Sequence, residues 1–472
     1  MRIRYALLVN AALAFVLGCS DESTSGASGG SAAIGVGAPA GAGGSAPVAS
    51  AGTGGSAGAA PAPVTPPEQV EPVGLDGMGG QGGGSSSAIA DAGGDVTGEQ
   101  RWVGTWAASP YFDGGNQPPA SLANSVLRQI VKVSLGGSQL RVQFSNLFGN
   151  GPVTIDSAHI ALNTATPAVD STIELASDAA LAFAGAASVT IPQGQEIWSD
   201  PIDFTVPPRG AISITTAFGN VPSNVVGHSG SRTTSYLQTN SSDVSAPNMA
   251  SAQTTDHWYY ISGIDVMADA SAAAVVAIGD SITDGRGTDT NRNNRWTDIL
   301  AERLLASPDT ANVAVMNQGI GATNLVGNGT AAQARFDRDV LGQSGIKYAI
   351  VLDGVNDIGG GAQFEPMRAV YDELISKAHA QGVLIYGATI LPFGSNGYYS
   401  PQRENVRQQV NAYIRSGVFD GVIDFEAAVT DGATPPNLQQ VYAAWAQQDG
   451  LHPGPAGYQR MGETPDLSLF TR

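Results

Sequence analysis

Between Asp21 and Gln100 the chain has almost nothing with which to build a core. The stretch is Gly, Ala, Ser and Pro, with few charges and few large apolar residues. Residues 79–87, Gly-Gly-Gln-Gly-Gly-Gly-Ser-Ser-Ser, are representative. Such a composition buries too little apolar surface to offset the entropy of ordering it. Residues 19–100 are therefore expected to be a disordered linker with a root-mean-square reach of roughly 50 Å. No functional site is expected there, and folding is left to residues 101–472. The formal net charge of -19 argues against a nucleic-acid partner, which normally meets a basic surface. The single Cys, at position 19, rules out an intramolecular disulfide and a thiolate metal cluster. Lysine occurs only at 132, 347 and 377, too sparsely for a polybasic membrane patch.

The first residues carry a different signal. Arg2 and Arg4 precede an apolar run from Tyr5 to Leu17 that only Asn10 interrupts. A bilayer span needs about 20 residues, so the run fits the apolar region of a secretory signal instead. It ends in Val16-Leu17-Gly18-Cys19, which resembles the bacterial lipobox, where cleavage precedes a Cys that is then acylated. Residues 1–18 are expected to be a lipoprotein signal peptide and Cys19 its lipidation site. Stable anchoring takes more than one chain, and the bacterial modification that the resemblance implies supplies three. The expected location is outside the cytoplasm, lipid-anchored to the cell envelope. Ser20 after the Cys resembles an outer-membrane sorting signal.

Residues 101–268 read as a β-sandwich. Val131, Val133 and Leu135 alternate with polar neighbours, as do Leu140, Val142 and Phe144. Gly136-Gly137 lies between, so a hairpin is expected. Further short runs at 189–191, 202–204 and 211–214 are separated by Pro and Gly, the spacing of an antiparallel sandwich. His159, His228 and His257 are scattered singly and are expected to be structural. Trp102, Trp106 and Trp258 are expected to be buried sandwich aromatics rather than a sugar-stacking surface.

Residues 269–472 change period. Apolar runs at 273–278, 313–316, 346–352, 383–389 and 422–425 alternate with helical patterns. Met367, Val370, Tyr371, Leu374, Ile375 and Ala378 fall on one helical face, and Trp296, Ile299, Leu300 and Leu304 on another. Strands alternating with helices predict a parallel sheet with all strand C-termini along one edge, where ligands bind. Five strands fit a flavodoxin-like three-layer α/β/α domain.

The polar residues cluster at that expected edge. The blocks are Gly279-Asp280-Ser281-Ile282, Asn317-Gln318-Gly319-Ile320-Gly321-Ala322, Gly354-Val355-Asn356-Asp357 and Asp449-Gly450-Leu451-His452. They supply what acyl transfer needs: a nucleophile, a base, an orienting carboxylate and oxyanion donors. In order and spacing they resemble the SGNH hydrolases, the GDSL esterase/lipase family, over roughly 200 residues. The leading Trp-Val-Gly-Thr-Trp and its β-region resemble the front domain of some members.

The resemblance implies Ser281 as nucleophile, His452 as general base and then acid, and Asp449 as its orienting group. It implies an oxyanion hole from the Ser281 N–H, the Asn356 amide and a third N–H at Ala322. That third position is usually Gly, and neighbouring Gly321 is expected to absorb any strain. Asp280 and Asp353 are expected to bond locally to backbone. Arg286 and Arg295 are expected to be solvated or ion-paired, and His379 to sit late in a helix. No metal and no cofactor are expected, because no further His gathers near Asp449 and His452. The chain lacks Gly-x-Ser-x-Gly in this setting, which disfavours an α/β-hydrolase. The leading expectation is a lipid-anchored serine esterase acting on short acyl or acetyl esters, with acetylated carbohydrate as the favoured substrate. The alternative is a surface carbohydrate-binding or adhesion protein whose hydrolase fold is catalytically weak or inactive.

Overall fold

Long runs of Ala, Val and Ile with no polar alternation place the strands of the second region between two covering layers. In the computed structural model Ala273–Gly279 is buried at every position. It pairs in parallel with Val313–Gly319 on one side and Ile346–Leu352 on the other. Leu384–Ala388 and Gly421–Ile423 extend the sheet beyond the third strand. In chain order the five strands therefore lie 2-1-3-4-5, the flavodoxin-like arrangement, with its ligand edge where the order reverses.

The structure describes residues 99–472 apart from 113, 116, 167–168 and 431–448. The signal peptide, Cys19 and the linker lie outside the described residues. Among those described, no helix is long and apolar enough to cross a membrane.

The helices follow their expected faces. Phe364–Ala380 buries Met367, Val370, Tyr371, Leu374 and Ala378, while Ile375 is half-buried at the edge of the stripe. Trp296–Ala306 buries Trp296, Ile299, Leu300 and Leu304. The last apolar run is shorter as a strand than expected. It stops at Ile423 because Asp424 caps a short helix, Phe425–Val429, by accepting from the Ala427 N–H at 3.1 Å.

The front region is a sandwich of a five-stranded and a seven-stranded antiparallel sheet. The expected hairpin around Gly136-Gly137 does not form. Ser125–Lys132 pairs with Ala211–Phe218 and Ser235–Thr239 in the larger sheet. Gly137–Ser145 pairs with Ile261–Asp269 in the smaller one. The connection is an arch between sheets, so Leu127 and Val131 meet Leu140, Val142 and Phe144 across the core rather than along a ladder. Alternation fixes which face is buried but leaves open which sheet a strand joins. A Cβ at Gly136 would lie 2.5 Å from the Val206 carbonyl oxygen, so the arch needs glycine there.

Sandwich and parallel sheet belong to one compact unit. The chain passes directly from the strand ending at Asp269 to the one starting at Ala273. Across the seam the Gly104 N–H donates to the Ser344 carbonyl at 2.9 Å, and the Val315 N–H to Ser134 Oγ at 2.9 Å.

Candidate active site

One rung of the parallel sheet sets the geometry of the site. Gly279 pairs with Gly319 and with Leu352. Neighbouring strands lie about 4.8 Å apart, so three loops leave the sheet side by side. Ser281 is two residues beyond that rung, Ala322 three and Asn356 four. The Asn356 amide then ties the third loop to the second by donating to the Thr323 carbonyl at 2.7 Å.

Ser281 is the first residue of a short helix, Ser281–Asp284, and its cap is Asp280, which accepts from the Ile282 N–H at 2.8 Å. Capping by Asp280 leaves the Ser281 hydroxyl available. It lies 2.8 Å from His452 Nε2. His452 Nδ1 lies 2.6 Å from Asp449 Oδ2. The other carboxylate oxygen of Asp449 accepts from the Leu451 and His452 N–H groups, each at 3.0 Å. The Asp-x-x-His spacing thus forms a closed local turn. Asn396 anchors it by donating to the Asp449 carbonyl at 2.7 Å. Behind it, Pro455–Glu463 packs on Trp296–Ala306, with Arg303 donating to the Gly462 carbonyl at 3.0 Å.

The electrostatics suit a base. Ser281 and His452 are each 6% exposed. Burial pulls His452 below its ordinary 6.5, Asp449 pulls it back up, and the Arg286 and Arg232 guanidiniums lower it again. For Asp449, burial acts upward, but the two N–H donors and the imidazole outweigh it and hold the carboxyl at about 2. Nδ1 thus faces a carboxylate, which leaves Nε2 free to take a proton from Ser281.

Three donors are available for a developing oxyanion. The Ser281 N–H is at a helix start, where no intrahelical acceptor exists. The Asn356 amide has a second hydrogen beyond the one given to Thr323, and its Oδ1 accepts from Tyr398 OH at 3.1 Å, which fixes the amide's orientation. At the third position Ala322 itself adopts φ 60°, and Gly321 is not left-handed. The expectation that Gly321 absorbs the strain is therefore corrected: the turn needs its positive φ at the residue presenting the N–H. Gly354, at φ 118°, makes the equivalent bend in the third loop without a Cβ.

The remaining expected residues are placed as follows. Asp353 accepts from the Gly354 N–H at 2.7 Å, and burial pushes the Asp280 and Asp353 carboxyls upward. Arg295 is buried, giving its guanidinium to the carbonyls of Asp284 and Gly230 at 2.9 and 3.2 Å. Arg286 is exposed and forms no ion pair among the described residues. His159 pairs with Asp178 at 3.1 Å, and His379 with Asp420 at 2.8 Å. Trp106 and Trp258 are buried edge to face at 4.9 Å, and half-buried Trp102 covers the Arg141 guanidinium. Among the described residues no group of three His, Cys, Asp or Glu side chains is placed to hold a metal ion.

Sequence reasoning missed several supports. His228, from the sandwich, lies 2.9 Å from Asp284 Oδ1 at the end of the helix that Ser281 begins. Asp357 accepts from the Leu325 and Val326 N–H groups at 2.7 and 3.0 Å, which fixes the loop that carries Ala322. Asp357 stood in the motif beside Asn356, a signal that was available. His228 offered none, because its partner is 56 residues away.

Residues 277–460 match the model of the GDSL-like lipase/acylhydrolase family. This part of the chain belongs to that family and is an SGNH-type hydrolase domain. Among curated proteins none matches the chain. Similar solved structures include an acetyl xylan esterase from Geobacillus stearothermophilus, 21% identical, covering 41% of this chain and 92% of its own, with a TM-score of 0.33. A member of the lipolytic protein G-D-S-L family from Veillonella parvula is 19% identical, covering 43% and 100%, with a TM-score of 0.33. A GDSL-like lipase from Bacteroides thetaiotaomicron is 18% identical, covering 40% and 84%, with a TM-score of 0.30.

Two outcomes follow from this geometry. The imidazole must be neutral to accept a proton, so activity is lost as pH falls through its lowered value. The acid limb of kcat/KM against pH on a neutral ester is expected to have its midpoint below 6.5; a midpoint above 7 contradicts the burial effect. Replacing Ala322 by Gly is expected to stabilise the fold by about 1 kcal/mol by relieving the left-handed strain, read from denaturant unfolding.

Proposed function

We propose that this protein is a serine esterase that hydrolyses short acyl or acetyl esters through an acyl-enzyme. The observation that carries this reading is the unbroken chain Ser281 Oγ to His452 Nε2 to Asp449, at 2.8 and 2.6 Å. Ser281 attacks the ester carbonyl while His452 takes its proton. The carbonyl oxygen becomes an anion facing the Ser281, Ala322 and Asn356 donors. As the tetrahedral species collapses, His452 returns the proton to the leaving alcohol. Water then attacks the acyl-enzyme with His452 again as base, and Ser281 is regenerated. Acetylated carbohydrate is the favoured substrate class, supported by an outward tether and an accompanying sandwich in the sequence.

The test uses purified protein with p-nitrophenyl acetate, butyrate and longer esters. Ser281→Ala is expected to abolish turnover and fluorophosphonate labelling; full turnover by that variant removes the assignment. Asn356→Ala is expected to lower kcat by about 10²–10³-fold, or roughly 2.7–4 kcal/mol. A preference for C8 or longer chains speaks against short acyl groups.

The envelope anchor is part of the same proposal and rests on the Leu17-Gly18-Cys19 junction. Cys19→Ser is expected to release the protein from membranes and to abolish its labelling by radioactive palmitate. Unchanged membrane fractionation of the variant contradicts it.

A further inference from the structure

Two guanidiniums at the rim that carries Ser281 and His452 have no evident structural duty. Arg286 lies five residues beyond Ser281. Its backbone is pinned on both sides, with its N–H donating to the Ser281 carbonyl at 2.9 Å and its own carbonyl accepting from Tyr458 OH at 2.7 Å. Its side chain stands exposed and forms no ion pair among the described residues. Arg232 comes from the sandwich. The carbonyls of Gly230 and Ser231 just before it receive the Arg295 guanidinium, and its own carbonyl accepts from the Asn291 N–H at 2.9 Å. It is held at φ 49°, a conformation that costs an arginine free energy and is kept only where the surroundings impose it. The reward for that strain is not a strong internal ion pair. The nearest carboxylate oxygen, Asp284 Oδ2, is 3.9 Å away, Asp284 already serves His228, and the buried Arg232 Nε has no hydrogen-bond partner. Neighbouring Arg295, by contrast, is fully engaged with protein carbonyls.

We propose that Arg232 and Arg286 form a cationic clamp for the substrate, and that the preferred ester carries a negative charge on its alcohol half. This rests on the hydrolase reading above and names the substrate class of that site. The side of the ester follows from the chemistry. His452 hands its proton to the leaving oxygen, so groups flanking the imidazole flank the alcohol. The acyl carbonyl oxygen lies instead towards Ala322 and Asn356. Arg286 is tied through its backbone to Ser281 and to Tyr458, in the helix that follows His452, and Arg232 faces Asp284 at the far end of the Ser281 helix, so both stand at the His452 end of the rim, away from Ala322 and Asn356; the lowered proton affinity of His452 agrees with this. In a chain of net charge -19, a cationic rim here also selects against the general repulsion an anionic substrate meets elsewhere on the surface. A guanidinium fork suits carboxylate and phosphate alike, so the shared chemistry is an oxyacid anion.

The experiment compares kcat/KM of the full chain on 4-acetoxybenzoate and 4-acetoxyphenyl phosphate with that on neutral 4-acetoxybenzamide. Mono-p-nitrophenyl succinate against p-nitrophenyl butyrate places the charge on the acyl side instead. The wild type is expected to favour an alcohol-side anion, with the better of the two probes naming carboxylate or phosphate. Arg232→Gln and Arg286→Gln are each expected to cut the anionic-to-neutral ratio about fivefold, and added salt to weaken it. Arg232→Lys is expected to retain part of the preference. Because the readout is a ratio within one protein preparation, partial misfolding of a variant cancels. An unchanged ratio in the double variant, or a charge preference confined to the succinate ester, overturns the clamp while leaving the esterase intact. Hydrolysis of none of these esters removes both.

Discussion

Arg335 holds the functional edge of this molecule together. It is 1% exposed, and its donors reach five groups from separate parts of the chain. They are the Gly279 carbonyl at 2.9 Å, the Gln318 carbonyl at 2.6 Å, the Thr330 carbonyl at 2.8 Å, Asp339 Oδ2 at 3.1 Å and Ser109 Oγ at 3.0 Å. The first two lie at strand ends, and Arg335 adds a second donor to the Gly279 carbonyl, which also accepts from the Ile320 N–H at 3.0 Å. Ser109 belongs to the sandwich side of the seam. A buried charge is costly unless its hydrogen bonds are complete and a counter-charge is near. Here both conditions hold, and the group that meets them also fixes where the Ser281 and Ala322 loops depart.

From that fixed rung the site is assembled by short-range rules. Asp280 caps the helix that Ser281 begins, Asp357 caps the loop carrying Ala322, and Asp449 closes the turn carrying His452. Each carboxylate does the same elementary thing, accepting backbone N–H groups that a sharp turn leaves unpaired. Only Asp449 also faces a titrating ring, and it is held at about 2. The strain at Ala322 belongs to the same pattern: a donor aimed at a future charge requires a backbone bend that an L-residue resists.

The sandwich is built into this site rather than appended to it. His228 reaches Asp284, a Cβ on Gly230 would lie 1.9 Å from that carboxylate, and Arg295 binds the carbonyls of Gly230 and Ser231. The loop from 228 to 234 therefore packs directly against the end of the Ser281 helix.

Much of the second region was legible because its signals are local. The helix at Phe364–Ala380 declares itself by period, the strand at Ile346–Leu352 by an apolar run broken only at Lys347, and Ser281, Asn356 and His452 by short motifs whose spacing is a property of the turn they form. The sandwich was legible as a class but not as a pairing. Period 2 around Gly136-Gly137 is shared by a hairpin and an arch, and only packing against Val206 and Pro208 decides between them. Equally hidden were Arg335 bridging Gly279 to Ser109, and Arg232 set 3.9 Å from Asp284 at the end of the Ser281 helix. These depend on chain segments brought together from afar. Sequence alone determined which residues turn, cap and carry chemistry, since these follow from the covalent neighbourhood. Tertiary structure decided which of them meet, because burial and hydrogen-bond completion are settled only when distant segments close around them.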